Sequence, residues 1–244
     1  MIRSHELLTA ALDLRKPHFA FFEAPEIVAL SENPMLNILT NPVDEQRGWA
    51  LPSLLTYGLT EQALRVMLDL QYISVIIEAY THGALQNPDV LALTGRRNSI
   101  HHALFSLPTM DEVEVLTEDQ RAVYESCRVA ALIYDLSIIF PVPSSTGVVA
   151  RLVSMSKNVV ESMRLEFMLG AGAKLLTWVL FMAGAAAESL PERPWFVEKL
   201  RLVLVSEAIY HWDTVREILN SYLWMSSAMD DAAVRLWDEI PMAS

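Results

Sequence analysis

The chain has 244 residues, 52% apolar and 20% charged, and its 18 basic and 30 acidic side chains leave a formal charge of −12. That is too apolar for a disordered segment and ample for a core, while eight glycines and twelve prolines exclude collagen-like or Gly/Pro-rich classes. The acid excess argues against a direct grip on a phosphate backbone. A single cysteine, Cys127, excludes an intrachain disulfide or a multi-cysteine zinc site and suits a reducing compartment.

In chain order, the first fifteen residues read as a short amphipathic helix with Leu7, Leu8, Ala11 and Leu12 on one side; Glu6 and Asp13 interrupt any secretory leader. Residues Lys16–Ser53 are punctuated by Pro17, Pro25, Pro34, Pro42 and Pro52 and read as irregular. Thr60 then caps a helix that is apolar at Leu64, Met67, Leu68 and Ile76 and ends at Gly83. Ser99–Leu107 forms a short helix stopped by Pro108. Thr117 and Gln120 make a capping box for a helix reaching about Ser137, broken by the Pro141/Pro143 turn. Three helices follow at about Val148–Leu169, Lys174–Glu188 and Trp195–Tyr210, with Pro194 at the first helical position of the last. Asp213 caps one more, with Val215, Leu219, Tyr222 and Leu223 on one face. The β-branched patches at 73–77 and 200–205 lie inside 3.6-residue periodicity and read as helix.

These elements predict an all-α fold, an irregular multi-helix domain of packed antiparallel helices. Residues 1–244 form one unit, with 1–53 the irregular N-terminal third and 54–244 the helical body. The apolar stretch Phe167–Ala187 carries one charge, Lys174, and its charge-free part is too short to span a bilayer, so it reads as a buried helix.

Candidate chemistry is thin. His101 and His102 are adjacent, and on a helix they point about 100° apart, so they do not share a metal. Glu78 and His82 align at i, i+4 but supply only two ligands. His211 stands next to the predicted cap at Asp213. Cys127 reads as a buried structural thiol, and Gly170-Ala171-Gly172 as a helix–helix turn rather than a phosphate loop. The acidic clusters at Asp111-Glu112 and Asp230-Asp231 read as solvated helix ends. No catalytic, cofactor-binding or metal-ligating residues are assigned, and no cofactor is expected. Five of the six tryptophans, Trp178, Trp195, Trp212, Trp224 and Trp237, fall in the last 70 residues and anchor a core or an interaction surface.

The segment Thr177–Trp224 resembles the C-terminal part of the fungal-specific transcription factor domain. The matching features are Trp178 with its apolar run into Gly184-Ala185-Ala186, the Arg193-Pro194-Trp195-Phe196 helix start, Trp212 before a helix, and the closing Leu223-Trp224. Residues 125–143, 102–108 and the region from Trp49 are similar to the same family, whose members join a six-cysteine zinc cluster to a long helical regulatory region. One cysteine and no basic cluster depart from that pattern, so DNA binding does not carry over.

The resemblance implies a non-enzymatic, transcription-factor-like regulator without its own DNA-binding part, nuclear, and modulating metabolic or secondary-metabolite genes. Its expected partner is a protein, such as a DNA-binding homologue or a second copy, with no direct nucleic-acid contact and no membrane. The competing reading is an all-helical small-molecule-binding protein or biosynthetic enzyme, for which Glu78, His82, His101 and His211 are the first candidates.

Overall fold

A computed structural model describes residues 2–18, 49–85, 89–164, 170 and 172–241. Its helices are, in order, α1 (Ile2–Asp13), α2 (Glu61–Thr81), α3 (Val90–Ser106), α4 (Glu118–Tyr134), α5 (Val148–Ser162), α6 (Ala173–Ala186), α7 (Arg193–Ser206), α8 (Trp212–Ser221) and α9 (Ser226–Asp238). Short 3₁₀ turns lie at Leu51–Tyr57, Met110–Glu112 and Ser144–Thr146, and α4 runs on into a π-helical turn at Asp135–Ile139. There is no strand among the described residues, so the fold is all-α.

Local chemistry explains several helix starts. The Thr60 hydroxyl accepts from the Ala63 amide at 3.2 Å, and Asp89 accepts from the amides of Leu91 and Ala92 at 3.0 Å each. Thr117 and Gln120 exchange both bonds of the predicted capping box.

Packing is set by two helices that are buried around their whole circumference. Every residue of α4 from Ala122 to Tyr134 is buried, as is every residue of α6 from Leu175 to Ala185. A helix without a polar face must be sheathed by others. Accordingly α6 packs against α4, α5, α7, α8 and α9, while α4 also meets α3, α5 and the Leu51–Tyr57 turn. Helix α2 lies on α3, and α1 contacts α3 and α5. One apolar cluster runs from Ala11 to Ile240.

Several sequence expectations change. Leu8 and Leu68, predicted on apolar faces, are 37% and 42% exposed; in α1, Ala10 is buried instead. Helix α3 starts at Val90, well before Ser99, because Asp89 caps it there; Gly95 and apolar residues spread around its circumference hide that start. Helix α5 ends at Ser162, and residues 165–169 of the predicted extension lie outside the described residues. Helix α7 begins at Arg193, which puts Pro194 at its second position, and ends at Ser206. Asp213 is not the cap of α8: His211 holds that position with an extended backbone, and Asp213 sits in the first turn, where a negative charge faces the helix dipole favourably. The sequence pattern marks α9 only by its acidic pair Asp230-Asp231, as a solvated helix end.

The predicted irregular stretch 16–53 falls mostly on residues 19–48, outside the described residues. The described part of Phe167–Ala187 is largely the buried α6, with Lys174 exposed near its start; 167–169 and 171 are not described. No described helix is long and apolar enough to cross a membrane.

Candidate functional site

The four residues named for an enzymatic reading sit on three elements: Glu78 and His82 at the end of α2, His101 in α3 and His211 just before α8. His82 caps the end of α2 through its Nδ1 and the Glu78 carbonyl, 2.9 Å apart, and is exposed. His211 is the exposed residue preceding α8. His101 alone is fully buried. Among the described residues, no group of three or more His, Cys, Asp or Glu side chains could hold a metal ion. Cys127 lies fully buried in α4, and burial pushes its thiol up to about 12, so it stays protonated and unreactive.

His101 belongs to a buried polar pair. Its Nδ1 donates to Asp135 Oδ2 at 2.5 Å, and both side chains are fully buried. The imidazole lies between Phe140, stacked with centroids 4.5 Å apart, and Phe105, tilted at 4.7 Å; Arg97 covers the outer face of Phe140 at 5.0 Å. Asp135 opens the π-helical turn that ends α4. One turn-neighbour away, the Tyr134 hydroxyl donates to Ser74 of α2 at 2.5 Å. The α2–α3–α4 junction is therefore pinned by polar bonds inside an apolar core. Sequence reading missed Asp135, although an acid within the otherwise apolar run of residues 129–136 needs a buried partner.

A second polar feature opens to solvent. Between the end of α1, the end of α3, α4 and α5 lies a cleft of about 370 Å³. Phe105, Leu107, Leu132, Leu152 and Met155 supply apolar walls, and the polar lining is Arg15, Lys16, Thr109, Asp111, Glu125, Arg128 and Asn158. Leu14 shapes one rim: it ends α1 at a φ of +51°, a conformation that costs a leucine strain, and turns the following residues across the cleft. Lys16 then reaches both oxygens of Glu112 at 2.7 and 2.8 Å. That bond, with the Thr109 amide, holds the Glu112 carboxyl at about 2, so the contact stays charged well into acid.

The wall of the cleft contains a buried ion pair. Arg128 Nε and Nη2 donate to Glu125 Oε2 and Oε1 at 2.8 and 2.6 Å, and the Met110 amide donates to Oε2 at 3.2 Å. Burial works against the arginine charge, but the bonds to Glu125 and its negative charge outweigh it and raise the Arg128 pKa.

The tryptophan-rich segment forms a seam around α6. Trp178 is fully buried, donates from Nε1 to the Leu223 carbonyl at 2.9 Å and stacks on Tyr222 at 5.3 Å. Arg193, also buried, donates to the Gly184 carbonyl at 2.6 Å and pairs with Glu239 at 2.9 Å. The Trp224 indole donates to Asp230, which Arg216 also holds. Trp178 thus meets Leu223, and Gly184 meets Arg193 and Phe196, so these dispersed residues serve packing around α6.

A family model described as fungal specific transcription factor domain matches residues 89–240. The chain belongs to this family. Its membership assigns a role in transcription regulation, and the family is not an enzymatic one. The matched span covers α3 to α9, so the α2 region, also read as similar to the family, lies before it. No curated protein and no solved structure matches the chain.

The seam makes one diagnostic prediction for this domain. A Cβ on Gly184 would stand 2.6 Å from Leu236 Cδ2 and 3.3 Å from Phe196 Cβ. A glycine-to-alanine change inside a helix ordinarily stabilises, by about 0.5–1 kcal/mol. Gly184→Ala is expected instead to destabilise by about 1–3 kcal/mol in urea unfolding, because the fully buried Leu236 must leave its rotamer and Phe196 must give way slightly. A gain in stability would contradict the close approach.

Proposed function

We propose that this chain is a nuclear transcription-regulatory protein that acts through protein partners, including a DNA-binding homologue, on metabolic or secondary-metabolite genes. The observation carrying this reading is the family match over residues 89–240. Two sequence facts support partner-mediated action: the residues carry a charge of −12, unfavourable for phosphate contact, and a lone cysteine cannot build a zinc cluster.

Residues 1–244 fused to a heterologous DNA-binding module in a fungal host provide the test, with affinity purification of the same chain from nuclear extract. The expected result is a changed reporter output together with recovery of a zinc-cluster transcription factor. An unchanged reporter and recovery of no transcription-related protein would overturn the proposal.

A further inference from the structure

The cleft between α1 and the α4–α5 pair has chemistry that partner binding does not use. Its volume of about 370 Å³ falls within the range of small-molecule sites, about 300–1,000 Å³. Its lining mixes apolar and polar side chains, and its deeply buried charges are the Glu125–Arg128 pair, each side chain under a tenth exposed.

The hydrogen-bond inventory of that pair is lopsided. Both Glu125 oxygens are already engaged, by two nitrogens of Arg128 and the Met110 amide. Arg128 spends Nε and Nη2 on Glu125, while Nη1 donates to no atom of the described residues. Asn158, which lines the cleft from the neighbouring α5, offers an amide that likewise has no bond among the described residues. The cleft therefore has donors to spare, while each oxygen of its buried carboxylate already accepts from the protein. An anion is accommodated there more readily than a cation; of the lining's acidic groups, only the exposed Asp111 has no ion pair among the described residues.

We propose that this cleft binds a small amphipathic carboxylate. Its carboxylate accepts from Arg128 Nη1 and the Asn158 amide, and its apolar body lies along Phe105, Leu132, Leu152 and Met155. Arg128 suits this task because its charge persists under burial and its planar donors match a carboxylate. Since Leu14–Lys16 form one wall, an occupant also bridges the N-terminal segment to the family domain that begins at residue 89.

Isothermal titration of the purified chain with sodium decanoate tests the site, with decanamide and decylamine as neutral and cationic counterparts of equal length. Decanoate is expected to bind saturably and at least about tenfold more tightly than either counterpart. Asn158→Trp, an exposed substitution that fills the cleft, is expected to weaken decanoate at least about tenfold with an unchanged circular dichroism spectrum. The double substitution Glu125→Gln/Arg128→Gln keeps a paired, neutral wall and is expected to erase the preference for decanoate over decanamide. Absence of saturable decanoate binding, equal affinity for decanoate and decanamide, or undiminished binding in folded Asn158→Trp would each overturn the proposal. Because the assay uses the isolated chain, its outcome is independent of the reporter and purification experiment.

Discussion

Asp135→Ala is expected to cost about 3 kcal/mol of stability, the upper end of the range for leaving a buried hydrogen-bonding group without its partner. The loss has a specific origin. Asp135 and His101 are fully buried and face each other at 2.5 Å; His101 Nε2 and Asp135 Oδ1 have no other partner among the described residues. Deleting the carboxylate leaves an imidazole N–H desolvated between two phenylalanine rings, with nothing to accept its proton. Asp135→Asn keeps an acceptor oxygen and is expected to cost about half as much or less. The double substitution His101→Leu/Asp135→Leu removes both polar groups, and its cost is expected to fall well short of the sum of His101→Leu and Asp135→Leu. Urea unfolding of these variants measures the coupling directly. Single losses below about 0.5 kcal/mol, the level of surface substitutions, would show that the pair does not hold the α3–α4 junction.

Trp178→Ala is expected to be comparably severe, at about 3–5 kcal/mol. The indole is fully buried in the helix that five others pack against. Truncation opens a cavity at the centre of α6, strands the Leu223 carbonyl and removes the stacked partner of Tyr222. Trp178→Phe retains most of the packing and loses the hydrogen bond, so it is expected to cost about 1–3 kcal/mol. Trp49, 65% exposed, provides the contrast: Trp49→Ala is expected to stay within about 0.5 kcal/mol. For a chain of this size each kcal/mol moves the melting temperature by about 2–4 °C, so calorimetry separates the three variants. Equal melting temperatures for Trp178→Ala and Trp49→Ala would refute the packing account.

Helices with both a cap and a strong apolar run were readable from residues alone. Thr60 and Thr117 announce α2 and α4, and the uninterrupted apolar stretch after Lys174 announces α6 as a buried helix. Where the signal fails, the reason is local. Helix α9 buries only Met229, Ala233 and Leu236, too few apolar positions to show a face against its Asp and Ala neighbours. Helix α3 hides behind Gly95 and exposed Val90 and Leu91. The family likeness was legible because its residues are large and irreplaceable, Trp178 and Trp224 above all, and the reason for their spacing is the seam they build around α6.

Sites were legible to a much smaller degree. His101 drew notice as a histidine, yet its partner lies 34 residues away on another helix, and periodicity carries no information about such a pairing. The cleft is less visible still, since its lining is drawn from residues 14–16, 105–111, 125–132 and 152–159.

Sequence alone determined that the chain is helical and acidic and that these residues cannot form a cysteine-rich zinc cluster, because composition, caps and 3.6-residue periodicity are local properties. Tertiary structure decided which polar groups are buried together and where donors are left unspent. Those facts depend on which helices meet, and desolvation gives a group its meaning only after they have met.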